Sequence, residues 1–370
     1  MNPIAEAWLV KTLDKINSLQ SYNKTESIKR ISKKYNLNLK KCIILDSNEN
    51  MFLSKNLLSF FAQKLSKEID FRLYPEEELS TLESSIAKYL KLSSQCVMVG
   101  CGGDQLIDLI TKTFLIGKSN VISILPTFSF YRISSEIVNA KYLQVPLNLD
   151  FTLNLNKILK MSKNSRICFI ASPNNPTANQ FKKEQIELLI ESFPGMVILD
   201  EAYVEYGNYN ASKWVNKYEN LIVLRTFSKA FGLAGLRVGY IVANPKIIKP
   251  LSRKVQFPFP VSTFSLKMAL EILKKKDLVQ SSVKTLKIER KWLIEELNKL
   301  NLKKVFHSDS NFILIQIGKN LEKVQSRLLQ RGIFLRHIGN VLNYEGCLRY
   351  TVGTHEMNEY VLDTLRNIVN

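Results

Sequence analysis

Residues 166–229 read RICFIASPNNPTANQFKKEQIELLIESFPGMVILDEAYVEYGNYNASKWVNKYENLIVLRTFSK, and three short apolar runs in that stretch decide the fold. Arg166–Ala171, Met196–Leu199 and Leu221–Leu224 are too short for helices and too apolar for strands with one wet face. Lys183–Ser192, between the first two, has helical periodicity. The same alternation extends outward from about residue 95 to 245: Cys96–Val99 then Asp104–Phe114, Asn120–Leu125 then Phe128–Val138, Lys141–Val145, and finally Val238–Val242. Strands alternating with helices predict an α/β fold, a mostly parallel sheet sandwiched by helices. Ligands of such sheets lie beyond the carboxyl ends of the strands, so the residues after each run are the ones to inspect.

The flanks have a different texture. Residues 1–45 are polar and basic, with helical stretches around Ile4–Leu19 and Glu26–Tyr35, and read as an N-terminal arm that joins part of a small domain. Residues 46–257 form the large domain. After Pro258 and Pro260 come a long helical stretch (Thr263–Leu300), strand-like Asn311–Ile317, helical Leu321–Arg331, strand-like Ile333–Arg336 and Cys347–Val352, and a last helix from His355. Residues 258–370 are therefore expected to form a smaller α+β domain.

Composition narrows the class. With 45% hydrophobic and 23% charged residues in 370, the chain is neither disordered nor collagen-like. No apolar run approaches the roughly 20 residues needed to span a bilayer. Met1–Val10 carries Glu6 and lacks the pattern of a secretory signal. The five cysteines (42, 96, 101, 168 and 347) form no CxxC pair, and all three histidines fall late in the chain. A cytoplasmic protein without a disulfide frame, zinc site or His-based metal site is expected. The net charge of +19 is concentrated at the two ends; residues 46–250 carry only +4. The lysines are scattered and lack an RNP-like aromatic pattern, which argues against a nucleic-acid surface. Attraction of anionic small substrates is the better use of the field.

Four segments stand at the strand ends: Ser172–Thr177 (SPNNPT), Asp200–Tyr203 (DEAY), Arg225–Lys229 (RTFSK) and, eight residues on, Arg237. Singly they are weak signals. Asn-Asn-Pro is usually a turn, a strand-ending Asp often caps a helix, and Ser-Lys is mostly surface. Together they put an acid, an amide, a phenol, a lysine and a cation on neighbouring strand ends. Pyridoxal phosphate needs that set: a lysine for the imine, an acid for the pyridinium proton, and cations and N–H groups for the phosphate.

Further segments extend the pattern over nearly the whole chain: LDSNEN (45–50), Tyr74-Pro75-Glu76, Gly102-Gly103-Asp104-Gln105, Pro126-Thr127-Phe128, DEAYVEY (200–206), TFSKAFGLAGLRVGY (226–240), PFPVS (258–262) and GCLRYTVGT (346–354). On these the chain resembles the fold-type I aminotransferases, and within them the histidinol-phosphate aminotransferase branch. The resemblance implies that Lys229 holds the cofactor covalently and moves the Cα proton, and that Asp200 pairs with the ring nitrogen. Asn175 and Tyr203 would bond the ring oxygen and Phe128 would stack on the ring. Gly103, Asp104, Thr226, Ser228 and Arg237 would hold the phosphate, the first two at a helix N-terminus. It further implies that Arg349 binds the distal anion of either substrate, with Arg336 and the arm residue Tyr22 nearby. Tyr74 would reach the cofactor phosphate of the partner subunit, making a homodimer with shared active sites. The expected activity is transamination between L-histidinol phosphate and 2-oxoglutarate. Rivals are an aromatic aminotransferase, a threonine-phosphate decarboxylase, and a regulatory or nucleic-acid-binding protein using the fold. The chain departs from the family pattern at Ala178, where a glycine is usual, so the turn there cannot rely on an easy positive φ. Met51-Phe52-Leu53 and Asn23-Lys24-Thr25 replace the usual proline-glycine punctuation.

Overall fold

The computed structural model describes residues 3–19, 21, 27–115 and 119–369, the side chains of residues 3–6 excepted. Helices α1 (Pro3–Ser18) and α2 (Ile28–Lys34) open the chain, followed by strand β1 (Ile43–Leu45) and helices α3 (Lys55–Glu68) and α4 (Glu78–Leu90). The alternating stretch then gives β2 (Val97–Gly100), α5 (Gly102–Phe114), β3 (Asn120–Leu125), α6 (Phe130–Ile137), β4 (Lys141–Pro146) and α7 (Leu155–Met161). It continues with β5 (Ser165–Ala171), α8 (Lys183–Ser192), β6 (Met196–Asp200), β7 (Leu221–Thr226), β8 (Gly239–Ala243) and α9 (Pro245–Pro250). The last part holds α10 (Thr263–Lys274), α11 (Lys276–Leu297), β9 (Lys304–Val305), β10 (Phe312–Gln316), α12 (Leu321–Gln330), β11 (Ile333–Val341), β12 (Tyr344–Thr351) and α13 (His355–Val369). No described helix is long and apolar enough to cross a membrane.

The expected mostly parallel sheet is present, in the order β2-β8-β7-β6-β5-β3-β4. β8 alone runs against its neighbours. The central strands of this sheet are dry on both faces, while β4 at the edge is only partly covered. In β5, Ile167, Phe169 and Ala171 pack with Leu106, Ile110 and Tyr131 on one side, while Cys168 and Ile170 pack with Leu189 and Tyr206 on the other. That alternation, with both faces apolar, is why the strand reads as an unbroken hydrophobic run. A second sheet has the order β1-β11-β12-β10-β9, with β1 parallel to β11 and the rest antiparallel. β1 thus carries the chain from the second sheet directly into the loop 46–50.

Helices α3 and α4 stand where the sequence reading places no element, and two further local features differ from it. The stretch Thr263–Leu300 is two helices, not one. Lys275 (φ −101°, ψ 34°) breaks it, so that α10 packs on α3 and α4 while α11 packs on α13 and β10. The turn at Ala178 does adopt a positive φ, of 67°. A left-handed non-glycine residue costs roughly 1–2 kcal/mol. Here it is held from both sides: its N–H donates to the Asn174 carbonyl and its carbonyl accepts from the Asp309 N–H, each at 2.8 Å.

Gly346 starts the segment that carries Arg349, and its φ is +68°. A Cβ there would lie 2.1 Å from the Gly318 carbonyl oxygen, a backbone atom that cannot swing aside. We expect Gly346→Ala to lower stability by about 2–4 kcal/mol, from the left-handed backbone and the displaced strand together. Gly235→Ala, with nothing within 4 Å of the added carbon, should stay within about 0.5 kcal/mol of the parent. Paired thermal unfolding midpoints measure both.

Candidate active site

The carboxyl ends of β5, β6 and β7 meet the start of α5 and the loop after β1 around a cavity of about 330 Å³. The first sheet and its loops contribute Gly103, Asp104, Phe128, Asn175, Asp200, Tyr203, Thr226, Ser228, Lys229 and Arg237 to its wall. The second sheet contributes Arg336 and Arg349, which face each other in register on β11 and β12. Tyr74 does not line this cavity. It is 74% exposed and stacks on Phe259 at 4.4 Å. Tyr22 lies outside the described residues.

One end of the cavity is built for an anion. Gly102, with φ +75°, begins α5; a Cβ there would sit 2.8 Å from Arg237 Nη2. A Cβ on Gly239 would sit 2.8 Å from the Gly102 backbone. Two glycines therefore let the helix N-terminus and the guanidinium close on one space, where N–H groups and the dipole favour negative charge. Arg237 Nη2 donates to Asp104 at 2.9 Å, and the Ser228 N–H donates to Thr226 Oγ1 at 3.0 Å.

At the centre stands Asp200, buried at the end of β6. Its Oδ2 accepts from the Tyr131 hydroxyl at 2.5 Å and its Oδ1 from the Ala202 N–H at 3.0 Å. Burial pushes the carboxyl up to about 6, while those two bonds pull against it. Tyr131 was not singled out from the sequence; it reads there as one more aromatic of an amphipathic helix. It is fully buried and stacks on Phe169 at 4.8 Å, with its edge toward Phe128.

Lys229 lines the same cavity, its Nζ donating to the Ser47 carbonyl at 2.8 Å. Burial, then the charge of Arg349, lowers the amine to about 8. The Tyr203 hydroxyl accepts from Asn48 Nδ2 at 2.9 Å, so its own proton remains available. Asn48 is itself clamped by the second sheet: its N–H donates to Thr351 Oγ1 and its carbonyl accepts from Asn311 Nδ2. The segment LDSNEN was the only sequence signal for it. Arg349, 8% exposed, donates from Nη1 to Asn175 Oδ1 at 2.7 Å and from Nη2 to the Asp46 carbonyl at 2.6 Å. The donor that Asn175 retains is therefore its amide nitrogen. A further pair, reaching from the wall into the protein behind it, escaped the sequence reading. Arg225 bonds Glu201 at 2.7–2.8 Å with both side chains buried.

This set fits pyridoxal phosphate. It has an amine that is partly neutral near pH 7, a buried acid whose hydrogen-bond partners among the described residues are a neutral hydroxyl and a backbone N–H, an anion cradle, and an aromatic ring in the wall.

Comparison with known proteins agrees. The family "Aminotransferase class I and II" matches residues 40–365. A histidinol-phosphate aminotransferase from Caldanaerobacter subterraneus subsp. tengcongensis is 36% identical over 328 residues, covering 88% of this chain and 93% of that one. Its namesake from Buchnera aphidicola subsp. Diuraphis noxia is 38% identical over 291 residues, covering 76% and 79%. The structure of histidinol-phosphate aminotransferase from Sinorhizobium meliloti in complex with pyridoxal-5'-phosphate superposes with a TM-score of 0.85 at 20% identity, covering 96% of each chain.

The raised proton affinity of Asp200 has a sign that can be measured without the cofactor. Below about pH 3 the carboxyl is protonated in the folded and unfolded chains alike. As pH rises to about 6 the unfolded chain ionises first, and the fold loses of the order of 3 kcal/mol. Asp200→Asn can keep both contacts, its Oδ1 accepting from the Ala202 N–H and its Nδ2 donating to the Tyr131 oxygen, and it removes the titration. Cofactor-free Asp200→Asn should therefore unfold at a higher temperature than the parent at about pH 8, and lose less stability between about pH 4 and 6. The cofactor-loaded variant should lose nearly all turnover. Superimposable pH–stability curves for the two cofactor-free proteins would contradict this account of Asp200.

Proposed function

The chain belongs to the class I and II aminotransferases and, within them, to the histidinol-phosphate aminotransferases; from that membership we propose how its own residues exchange an amino group between L-histidinol phosphate and 2-oxoglutarate. The products are imidazole acetol phosphate and L-glutamate, a step of L-histidine biosynthesis. The observation that carries the reading is the shared cavity. It joins the lysine and acid of the first sheet to an arginine pair of the second. When bound, pyridoxal phosphate supplies an electrophilic carbon for the amino group and a cationic ring that withdraws electrons from Cα.

On this reading the phosphate is held by the N–H groups of Gly103 and Asp104, the hydroxyls of Thr226 and Ser228, and Arg237. Ionised Asp200 keeps the proton on the ring nitrogen, and Tyr131 and the Ala202 N–H fix its carboxylate plane. A cationic neighbour offsets the burial that otherwise holds this carboxyl near 6. Tyr203 donates its proton to the ring oxygen while receiving one from Asn48, and Asn175 donates from its amide. Phe128 covers one face of the ring. Lys229, near 8, has a neutral fraction at cellular pH that can take the Cα proton and return it. Arg349 takes the distal anion, phosphate in one half-reaction and carboxylate in the other, with Arg336 beside it.

The assembly is part of the same proposal. Phe71, Leu73, Tyr74, Phe257 and Phe259 are all at least half exposed, and Tyr74 stacks on Phe259. A homodimer would cover these side chains and bring Tyr74 to the partner's cofactor phosphate. An arm (1–45) contributing Tyr22, a cofactor-binding domain (46–257) and a smaller domain (258–370) complete the reading. We place the enzyme in the cytoplasm, where five thiols outside any CxxC pair stay reduced.

A substrate panel tests the activity. Histidinol phosphate, aromatic amino acids and threonine phosphate are each supplied with 2-oxoglutarate, and glutamate and carbon dioxide are followed. Glutamate should form fastest with histidinol phosphate; faster turnover of phenylalanine, or decarboxylation of threonine phosphate, overturns the assignment. Arg349→Ala should lower kcat/KM at least about tenfold in both half-reactions, because a charge-assisted bond in a cleft contributes roughly 1.5–3 kcal/mol. A loss confined to the histidinol-phosphate half-reaction would show that the two anions do not share Arg349.

Subunit mixing tests the shared site. Lys229→Ala and Tyr74→Ala chains, each inactive alone, are allowed to exchange. A mixed dimer with shared sites concentrates both lesions in one pocket and leaves the other intact. About a quarter of wild-type activity should return, since half of randomly assorted dimers are mixed. Tagged mixed dimers without recovery would place Tyr74 in its own subunit's economy.

A further inference from the structure

A second cavity, of about 490 Å³, shares no lining residue with the catalytic one. Its long wall is one face of α11, where lining residues recur every three or four positions from Lys276 to Lys291. Buried Val279 and Val283 form the floor with Tyr89 of α4 and Phe231, whose rings meet edge to face at 6.2 Å. The rim is cationic. Lys276, Lys284 and Lys291 are exposed, and among the described residues none of the three pairs with a carboxylate. Lys287 is half-buried, its Nζ fixed on the Gly207 carbonyl at 2.9 Å. Glu205 closes the bottom; burial lifts it to about 7, with Arg225 pulling against that shift.

An apolar floor under a ring of like charges leaves both unsatisfied by water alone. A neutral hydrophobic molecule would cover the floor and leave the lysines repelling one another. An inorganic anion would settle the lysines and leave the floor wet. An anion on an aromatic or aliphatic body answers both, and the cavity volume is that of a small-molecule site.

The floor also touches the catalytic machinery at two points. Arg225 lines the catalytic cavity and its Nη1 lies 3.9 Å from Glu205, which lines the second cavity. Phe231 is two residues beyond Lys229 and packs on Phe227 at 4.7 Å, so it belongs to the turn that carries the lysine. A ligand on this floor would press on that turn and change the field around Arg225.

We propose that this cavity is an effector site for a small organic anion with an aromatic body, coupled to the catalytic cavity through Glu205–Arg225 and the turn Phe227–Phe231. The proposal does not depend on which amino donor the enzyme uses. The test is a fluorine NMR titration of the cofactor-loaded enzyme with para-fluorophenylpropionate, under saturating 2-oxoglutarate so that the catalytic cavity is occupied. Saturable binding is expected, and occupancy should change kcat/KM for transamination by at least about twofold. Lys284→Glu with Lys291→Glu should weaken binding at least about fivefold while leaving turnover without the probe unchanged, since both charges lie within a Debye length of the bound anion. Propionate, which lacks the ring, and para-fluorophenylpropanol, which lacks the charge, should each bind at least about fivefold more weakly. Absence of saturable binding, displacement by 2-oxoglutarate, indifference to the double variant, or equal binding of either truncated probe overturns the site. Saturation without any change in kcat/KM overturns the coupling.

Discussion

The dryness of the large sheet on both faces governs where this protein can keep charge. From β5 to β7 the strand interiors are buried against helices above and below, and an ion there would have no water to solvate it. Buried charge in these strands is confined to the carboxyl ends, where the strands stop and the helices diverge. Even there it needs partners. Asp200 has a tyrosine hydroxyl and a backbone N–H; Arg225, one residue before the end of β7, has Glu201. Breaking such a buried pair typically costs about 3–5 kcal/mol because the survivor is left unpaired. The polar groups of the site are thus not decoration on a scaffold. They are the few places where this scaffold tolerates them.

The second constraint is the three-residue strand β1. It belongs by hydrogen bonding to the second sheet, yet the next residues pass into the first sheet's cavity. Asn48 makes the junction rigid: Thr351 and Asn311 hold it from the second sheet while it holds Tyr203 of the first. Arg349 does the same in the other direction, bonding Asp46 and Asn175. A cleft assembled from two units is a common seat for small ligands. Here each unit supplies what the other lacks, one the lysine and acid, the other the arginine pair.

How much of this was legible in the sequence follows from the same physics. Strands dry on both faces read as unbroken apolar runs, so β3 and β5–β7 were recognisable, and the helix Lys183–Ser192 has the expected limits. The residues at strand ends stood out because acids, amides and lysines interrupt those runs. Tyr131 did not, because an aromatic on an amphipathic helix looks like core whether or not its hydroxyl meets an acid. Asn48 looks like any turn residue until Thr351, some three hundred positions later, is beside it. Helices α3 and α4 were missed; α3 buries only Phe61 and Leu65, too few to mark a period. The break at Lys275 carries no glycine or proline, and only the diverging packing of α10 and α11 explains it.

Arg349 and Lys229 show how the two units act on one proton. Burial is the larger cause of the lysine's lowered affinity, but the guanidinium of Arg349 is the next, a fixed positive charge facing an amine that would become positive. On the proposed reading that guanidinium receives the distal anion of the substrate. Neutralising it removes the repulsion, and the amine then holds a proton more tightly than it did before the substrate arrived. The amine's hold on a proton is weakened while the cavity is empty and strengthens once the anion has docked. No moving part is needed for this, only two cations on different sheets and an anion that pairs with one of them.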